Sequence, residues 1–265
     1  MGIVEMLKRR KKAIIVIVLV IFFIWSCFGD PILYIVLNGW INPCTYAAYI
    51  SLEGDTLFLG DLHVREDESG ERFKCIRPFI LENNVSHLVL VGDVFDDPNV
   101  YYSLKRRLGG EEAVVKWLLK ILGLDDLKLN VYFIIGGIVH DPQNLNLNLT
   151  VNNVHFQTVG KCLKLKIYDY KVIALHGDVV INGPIGFIIT GILNKPVFEH
   201  LFRTLNGIDE NIWVIMAHTH IPLIDYEGKV ANTGGWTRTP IIQPPTKRGV
   251  LITRGEIKLV NLEDA

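Results

Sequence analysis

His87-Leu88-Val89-Leu90-Val91-Gly92-Asp93-Val94-Phe95-Asp96 is the stretch that decides how this chain reads. Its apolar run is short and uninterrupted, as in a strand buried on both faces, and it stops at a glycine followed by a carboxylate. The same pattern recurs on either side. Upstream, residues 56–60 run into Asp61-Leu62-His63. Downstream, 131–137 lead to His140-Asp141, 171–176 end at His176-Gly177-Asp178, and 212–217 end at His218-Thr219-His220. Five of the eight histidines, with five aspartates, therefore stand at the ends of successive strand-like runs. Carboxylates and imidazoles gathered beyond strand ends are how an α/β protein assembles a metal site.

Between these runs the pattern alternates with helices at first and turns β-rich later. Residues 72–82 and 111–123 read as helices, the second with Glu111 and Glu112 in its first turn, Lys116 and Lys120 later, and Gly123 as its stop. Residues 154–160, 163–168 and 171–176 read as shorter strands, and 249–253 with 256–260 as a closing hairpin. Residues 143–153, rich in Asn and Leu, read as a loop. The fold class expected is α/β, with two packed β-sheets flanked by helices.

The chain has 265 residues, 49% of them hydrophobic, enough for one large domain and an appendage. A formal net charge of -1 gives no general drive toward nucleic acid. Charge is unevenly placed: Lys8, Arg9, Arg10, Lys11 and Lys12 precede residues 13–28, which carry none. A buried core helix is seldom led by five cations and apolar on every side. A cleaved signal peptide would want a small-x-small site, which the segment lacks, and Trp25-Ser26-Cys27 is a poor lipoprotein site because Trp25 is bulky. A retained transmembrane anchor fits the flanks best. Residues 1–50 are therefore read as a basic N-terminus and membrane anchor, and 51–265 as the catalytic domain. A single pass with the cations inside puts that domain outside the cytoplasm; a hairpin turning near Gly29-Asp30-Pro31 would return it. Asn38, Asn42 and Pro43 make a poor second span, which favours the single pass. The cysteines, at 27, 44, 75 and 162, have no metal-type or disulfide-framework spacing and read as small core or membrane residues. Residues 180–205 read either as an amphipathic helix pair on the core or as a lid or membrane-surface insertion.

Asp61 and His63, two apart, can share one ion at a strand end. Asp93 follows a neighbouring strand, and its carboxylate can bridge two ions. His176, His218 and His220 add imidazoles. Six donors suit two divalent ions about 3.5–4 Å apart, the arrangement that clamps attacking and leaving oxygens in phosphoryl transfer. Mixed nitrogen and oxygen ligation favours Mn²⁺, Fe²⁺ or Zn²⁺ over Mg²⁺ or Ca²⁺, and we take Mn²⁺ first.

With these blocks in this order, the chain resembles the calcineurin-like metallophosphoesterases, whose motifs are D-x-H, G-D-x-x-D, G-N-H-D/E, H and G-H-x-H. The resemblance covers roughly residues 55–257. It implies an αββα sandwich in which Asp61, His63, Asp93 and His220 hold one metal ion, and Asp93, His176 and His218 the other. The motifs Gly92-Asp93-Val94-Phe95-Asp96, Leu175-His176-Gly177-Asp178, His218-Thr219-His220-Ile221-Pro222 and Asn232-Thr233-Gly234-Gly235-Trp236 look like the UDP-diacylglucosamine hydrolases, which cleave the pyrophosphate of a nucleotide-linked lipid at a membrane. One block departs. Where the family has Gly-Asn-His-Asp, this chain reads Gly136-Gly137-Ile138-Val139-His140-Asp141, without the metal-binding Asn. Either the second ion has one fewer ligand or His140 moves in. In the family role, His140 contacts phosphate and protonates the leaving oxygen, oriented by Asp96.

The expected protein is a membrane-anchored metallophosphoesterase in which a metal-bound hydroxide attacks a phosphodiester or pyrophosphate, that of a nucleotide-linked lipid included. A nuclease would want a basic groove, which the charge does not advertise. A non-catalytic membrane scaffold with a degraded metal site is the remaining alternative, supported by the altered histidine block.

Overall fold

The protein's structure, a computed structural model, describes residues 16–26, 28, 29, 32, 42–237 and 244–264. The chain enters the fold through β1 (Ala48–Leu52) and β2 (Thr56–Leu59), then α1 (Ile76–Glu82), β3 (His87–Val91), α2 (Pro98–Leu108), α3 (Glu111–Ile121) and β4 (Leu129–Ile134). Next come β5 (Asn148–Val151), β6 (Val154–Thr158), β7 (Cys162–Ile167) and β8 (Tyr170–Leu175). The chain continues through α4 (Gly183–Leu193), α5 (Val197–Leu205), β9 (Ile212–Met216), β10 (Leu223–Asp225) and β11 (Val230–Asn232). It closes with the antiparallel pair β12 (Arg248–Ile252) and β13 (Ile257–Asn261).

These strands form a seven-stranded sheet, ordered β13-β12-β2-β3-β4-β6-β5, and a six-stranded sheet, ordered β1-β7-β8-β9-β11-β10. Their apolar residues divide into three cores. Phe58, Val89 and Ile134 of the first sheet meet Leu165, Ala174 and Ile215 of the second in the middle. On the outer face of the first sheet, Leu57, Leu88 and Phe133 pack against Phe79 of α1, Leu104 of α2 and Leu118 of α3. On the outer face of the second, Leu175, Val214 and Met216 pack against Phe198 and Phe202 of α5, with Ile185 and Ile189 of α4 joining them. The layers are helix, sheet, sheet, helix, as expected from the pattern of strands.

The strands that matter run the same way. β2, β3 and β4 are adjacent and parallel in one sheet, and β8 and β9 are adjacent and parallel in the other. Their C-terminal ends therefore open onto a common edge, where the backbone must leave the sheets and side chains can converge.

Several expectations change. The expected loop at 143–153 contributes β5, an edge strand paired antiparallel with β6. Asp97 caps α2 by accepting from the Asn99 amide at 2.6 Å, Pro98 opens the helix, and Gly109 in left-handed backbone ends it. Cys44 and Cys162 form a buried disulfide across 118 positions of sequence, correcting their reading as unpaired core residues. The bond ties the chain just before β1 to the first residue of β7. β1 begins at Ala48, so the folded domain reaches back across the expected boundary at residue 50. The expected anchor falls largely outside the described residues. Of it, residues 16–26 are helical, and no described helix is long and apolar enough to cross a membrane.

Candidate metal centre

Three backbone hydrogen bonds stitch the turn after β2 to the turn after β3: Asp61 N–H to Gly92 O (3.1 Å), His63 N–H to Asp93 O (3.0 Å) and Val64 N–H to Val94 O (2.8 Å). Asp61, His63 and Asp93 are thereby delivered to one point. The backbone bends sharply to do it. Asp61, His63, Asp93, His218 and His220 all sit at positive φ, between 46° and 70°, where residues with a side chain are uncommon. Such strain costs roughly 1–3 kcal/mol per residue and persists where function requires it. Gly92, at φ 77°, has a further reason to be glycine: a Cβ there would come within 2.7 Å of His176 and of the Gly136 Cα.

The six expected ligands come together. Asp61, His63 and His220 present donor atoms within 4.8 Å of one another, and so do Asp93, His176 and His218. A third such group, His63, Asp93 and His140, overlaps both, which leaves the Asp93 carboxylate between the two halves. His176 Nε2 lies 3.0 Å from Asp93 Oδ2 and 4.0 Å from Asp61 Oδ1, and His220 Nε2 lies 3.6 Å from Asp61 Oδ1.

Hydrogen bonds fix the ring tautomers. His176 Nδ1 donates to the Val91 carbonyl at 3.0 Å and His218 Nε2 to the Ile181 carbonyl at 2.6 Å. That turns His176 Nε2 and His218 Nδ1, 3.0 Å apart, toward the cluster. His140 Nδ1 donates to the Asp96 carbonyl at 2.8 Å, so Nε2 faces Asp93 Oδ2 at 3.7 Å. Asp96 thus orients His140 through its backbone. Its carboxylate lies instead beside His63 Nδ1 (3.7 Å) and Arg65 Nε (3.4 Å).

Electrostatics divide the histidines. Burial pushes His63 down to about 4 despite Asp93 and Asp61, and burial with the neighbouring His176 lowers His218. Both rings are neutral at pH 7 and offer lone pairs. Burial also opposes charge on His176, but Asp93, Asp61 and Asp178 outweigh it and push His176 up to about 10. The reciprocal effect holds Asp93 well below the usual carboxylate range: burial favours its protonation, and His176 and His140 overcome it.

The residues fit a cation. Asp61 Oδ1 and His63 Nε2 are buried polar atoms without a hydrogen-bond partner, a costly state unless something positive satisfies them. Asp61 Oδ2 is spoken for, accepting from the His218 amide at 2.8 Å. The second half of the cluster is poorer. Gly137 donates its amide to Asp93 Oδ1 at 2.6 Å and has an ordinary φ; a Cβ there would point at that carboxylate from 3.3 Å. The position facing Asp93 therefore carries no side chain.

Four further residues support the cluster. Asp141, fully buried, accepts from the Val94, Phe95 and Gly136 amides (3.0, 3.1 and 2.8 Å) and so clamps the Asp93 turn to the histidine loop. Burial and Asp93 push its carboxyl up to about 7. Arg72 donates to the His63 carbonyl at 2.5 Å and to the Trp236 carbonyl at 3.4 Å. Glu199 of α5 accepts from Asn232 Nδ2, which also donates to the Ala217 carbonyl just before His218. Lys161 donates to the Gly136 carbonyl and lies 3.7 Å from Asp178. Only Asp141 had a sequence signal, its place beside His140.

Together the geometry defines a buried carboxylate–imidazole cluster whose residue groups could hold a divalent metal. No protein-family model matches the chain, and no curated protein does. Among solved structures, the chain is similar to a Vps29 single mutant from Entamoeba histolytica, with 16% identity and a TM-score of 0.47 over 77% of this chain and 89% of that one. It is similar to the phosphoesterase YfcE from E. coli at 15% identity and a TM-score of 0.41, over 79% and 94% of the two chains. For an archaeal phosphodiesterase the values are 14% and 0.41, over 78% and 98%. Likeness at this level carries no weight by itself, and the fold and cluster rest on this chain's own topology and distances.

Proposed function

We propose that the chain is a membrane-anchored, metal-dependent phosphoesterase that hydrolyses a phosphodiester or pyrophosphate bond, with a nucleotide-linked lipid as the substrate class. The observation that supports it most is the placement of Asp93 between two groups of ligand-type side chains, in the first of which Asp61 Oδ1 and His63 Nε2 are buried without a hydrogen-bond partner. Asp61, His63, Asp93 and His220 would hold one divalent ion, and Asp93, His176 and His218 the second. The donor chemistry favours Mn²⁺, then Fe²⁺ or Zn²⁺. Such ions supply charge neutralisation at phosphorus and a more acidic water.

The protein's own groups do the rest. Asp141 and the paired turns hold Asp93 and the His140 loop in register. His140, anchored at Nδ1 by the Asp96 carbonyl, has its Nε2 directed toward the cluster, where the protonated ring can donate to a leaving oxygen. Asp96 is its orienting partner. A buried disulfide belongs to chains that fold under oxidising conditions, which favours the single-pass arrangement with the domain outside the cytoplasm.

The test is turnover by the full chain in detergent, stripped of metal and resupplied with Mn²⁺, against phosphomonoesters, phosphodiesters and nucleotide pyrophosphates. Mn²⁺-dependent cleavage of the diesters or pyrophosphates supports the proposal. Metal-loaded protein that cleaves none of them would support the scaffold reading instead.

A further inference from the structure

The helix α4 begins at the metal cluster and ends at the open surface. The Ile181 carbonyl just before it accepts from His218, and a Cβ at Gly183 would lie 3.4 Å from the His218 ring. At the far end, Gly191 approaches the Ile221 side chain to 3.3 Å by the same measure. The helix therefore runs along the ligand-bearing turn. Its eleven residues carry no charge. Gly186 and Thr190 face inward, while Ile192 is 76% exposed and, on α5, Leu205 is 59% exposed.

A second apolar surface adjoins it. The helical residues 16–26 expose large apolar side chains along their whole length, Phe22 at 67% and Trp25 at 57% among them. The Trp25 carbonyl accepts from Asn182, the N-cap of α4, at 3.2 Å. A helix apolar on every face has no stable aqueous surround, whereas a protein partner would need only one stripe. In sequence, the cations Lys8–Lys12 precede this helix and Lys195 follows α4, charges of the sign that anionic headgroups attract. The opposite helical layer is charged, with Lys105, Arg106 and Arg107 in the last turn of α2.

We propose that α4 and the outer edge of α5 rest on the lipid bilayer beside the N-terminal helix. The phosphoester headgroup of a membrane lipid then reaches the cluster while its chains stay in the bilayer. This rests on the membrane-anchored phosphoesterase reading and adds the face that meets the membrane.

The test places a photoreactive p-benzoylphenylalanine at position 192, 205 or 81 of the full chain, reconstituted in vesicles of phosphatidylcholine and phosphatidylglycerol. Leu81, exposed on α1 in the other layer, is the control. Lipid adducts at 192 and 205 should exceed those at 81 by on the order of tenfold. Equal yields at all three positions in protein that floats with the vesicles would overturn the bilayer contact and leave the anchor and the phosphoesterase reading standing. Adducts to a second copy of the chain at 192 would make this face a dimer interface instead. Protein that does not float with the vesicles at all would overturn both the anchor and this contact.

Discussion

Gly137 presents no side chain to the Asp93 carboxylate beside it. On the proposed reading, Asp61, His63, Asp93 and His220 would hold one ion, and only Asp93, His176 and His218 the other. Two ions should therefore bind with separate affinities. Gly137→Asn, whose backbone is permitted and whose Cβ already points at Asp93, should tighten the weaker ion on the order of tenfold, about 1.4 kcal/mol. Calorimetric titration of Mn²⁺ into both proteins measures it, and an unchanged second step would show that the position does not reach the ion. His140→Asn should leave metal content near that of the parent while slowing esters with poor leaving groups more than those with good ones. A fall in metal content would instead make His140 a ligand. The residues of the cluster were legible because each follows a strand, and strand ends gather at one edge. Asp141 and Arg72 bond to backbone atoms of distant segments, and no side-chain pattern announces such partners.

At the scale of elements, the helix pair and the metal-bearing turn are joined through a buried carboxyl. Glu199 on α5 is fully buried, its Oε2 without a partner, and burial pushes it up to about 7 from an ordinary 4.5. The folded state thus keeps this proton between pH 4.5 and about 7 while the unfolded state releases it. The contribution to stability is complete below the unfolded value, falls as pH rises through that window and levels off above about 7. Glu199→Gln lacks this decline. Its stability should match the parent below about pH 4 and exceed it by about 3 kcal/mol near pH 8, visible as several degrees in Tm. Parallel stability curves for the two proteins would show that the carboxyl does not titrate in the fold. The helices themselves were partly legible. α3 carries acids first, lysines later and a glycine stop, whereas α2 hides its amphipathicity behind three consecutive cations, Lys105 to Arg107. β5 was missed because an edge strand of four residues with two asparagine neighbours has the composition of a loop.

On the scale of the whole molecule, the layer order followed from the alternation of short apolar runs with helices, but the covalent tie did not. Cys44 and Cys162 are brought together by the parallel pairing of β1 with β7, a contact no spacing rule predicts. Peptide mapping without reductant should recover the Cys44 and Cys162 peptides linked, and Cys162→Ala should lose about 5 kcal/mol of stability in the chain-entropy account of a loop this long. Unlinked peptides from protein folded under oxidising conditions would remove the tie and the argument for an oxidising compartment. The central claim is that one carboxylate joins two metal ions. Elemental analysis of the purified full chain and of Asp93→Asn, both equilibrated with Mn²⁺, tests it most directly. The account expects about two equivalents per chain in the parent and a near-complete loss of both in the variant, with hydrolysis lost alongside. Equal metal content in the two proteins would contradict it.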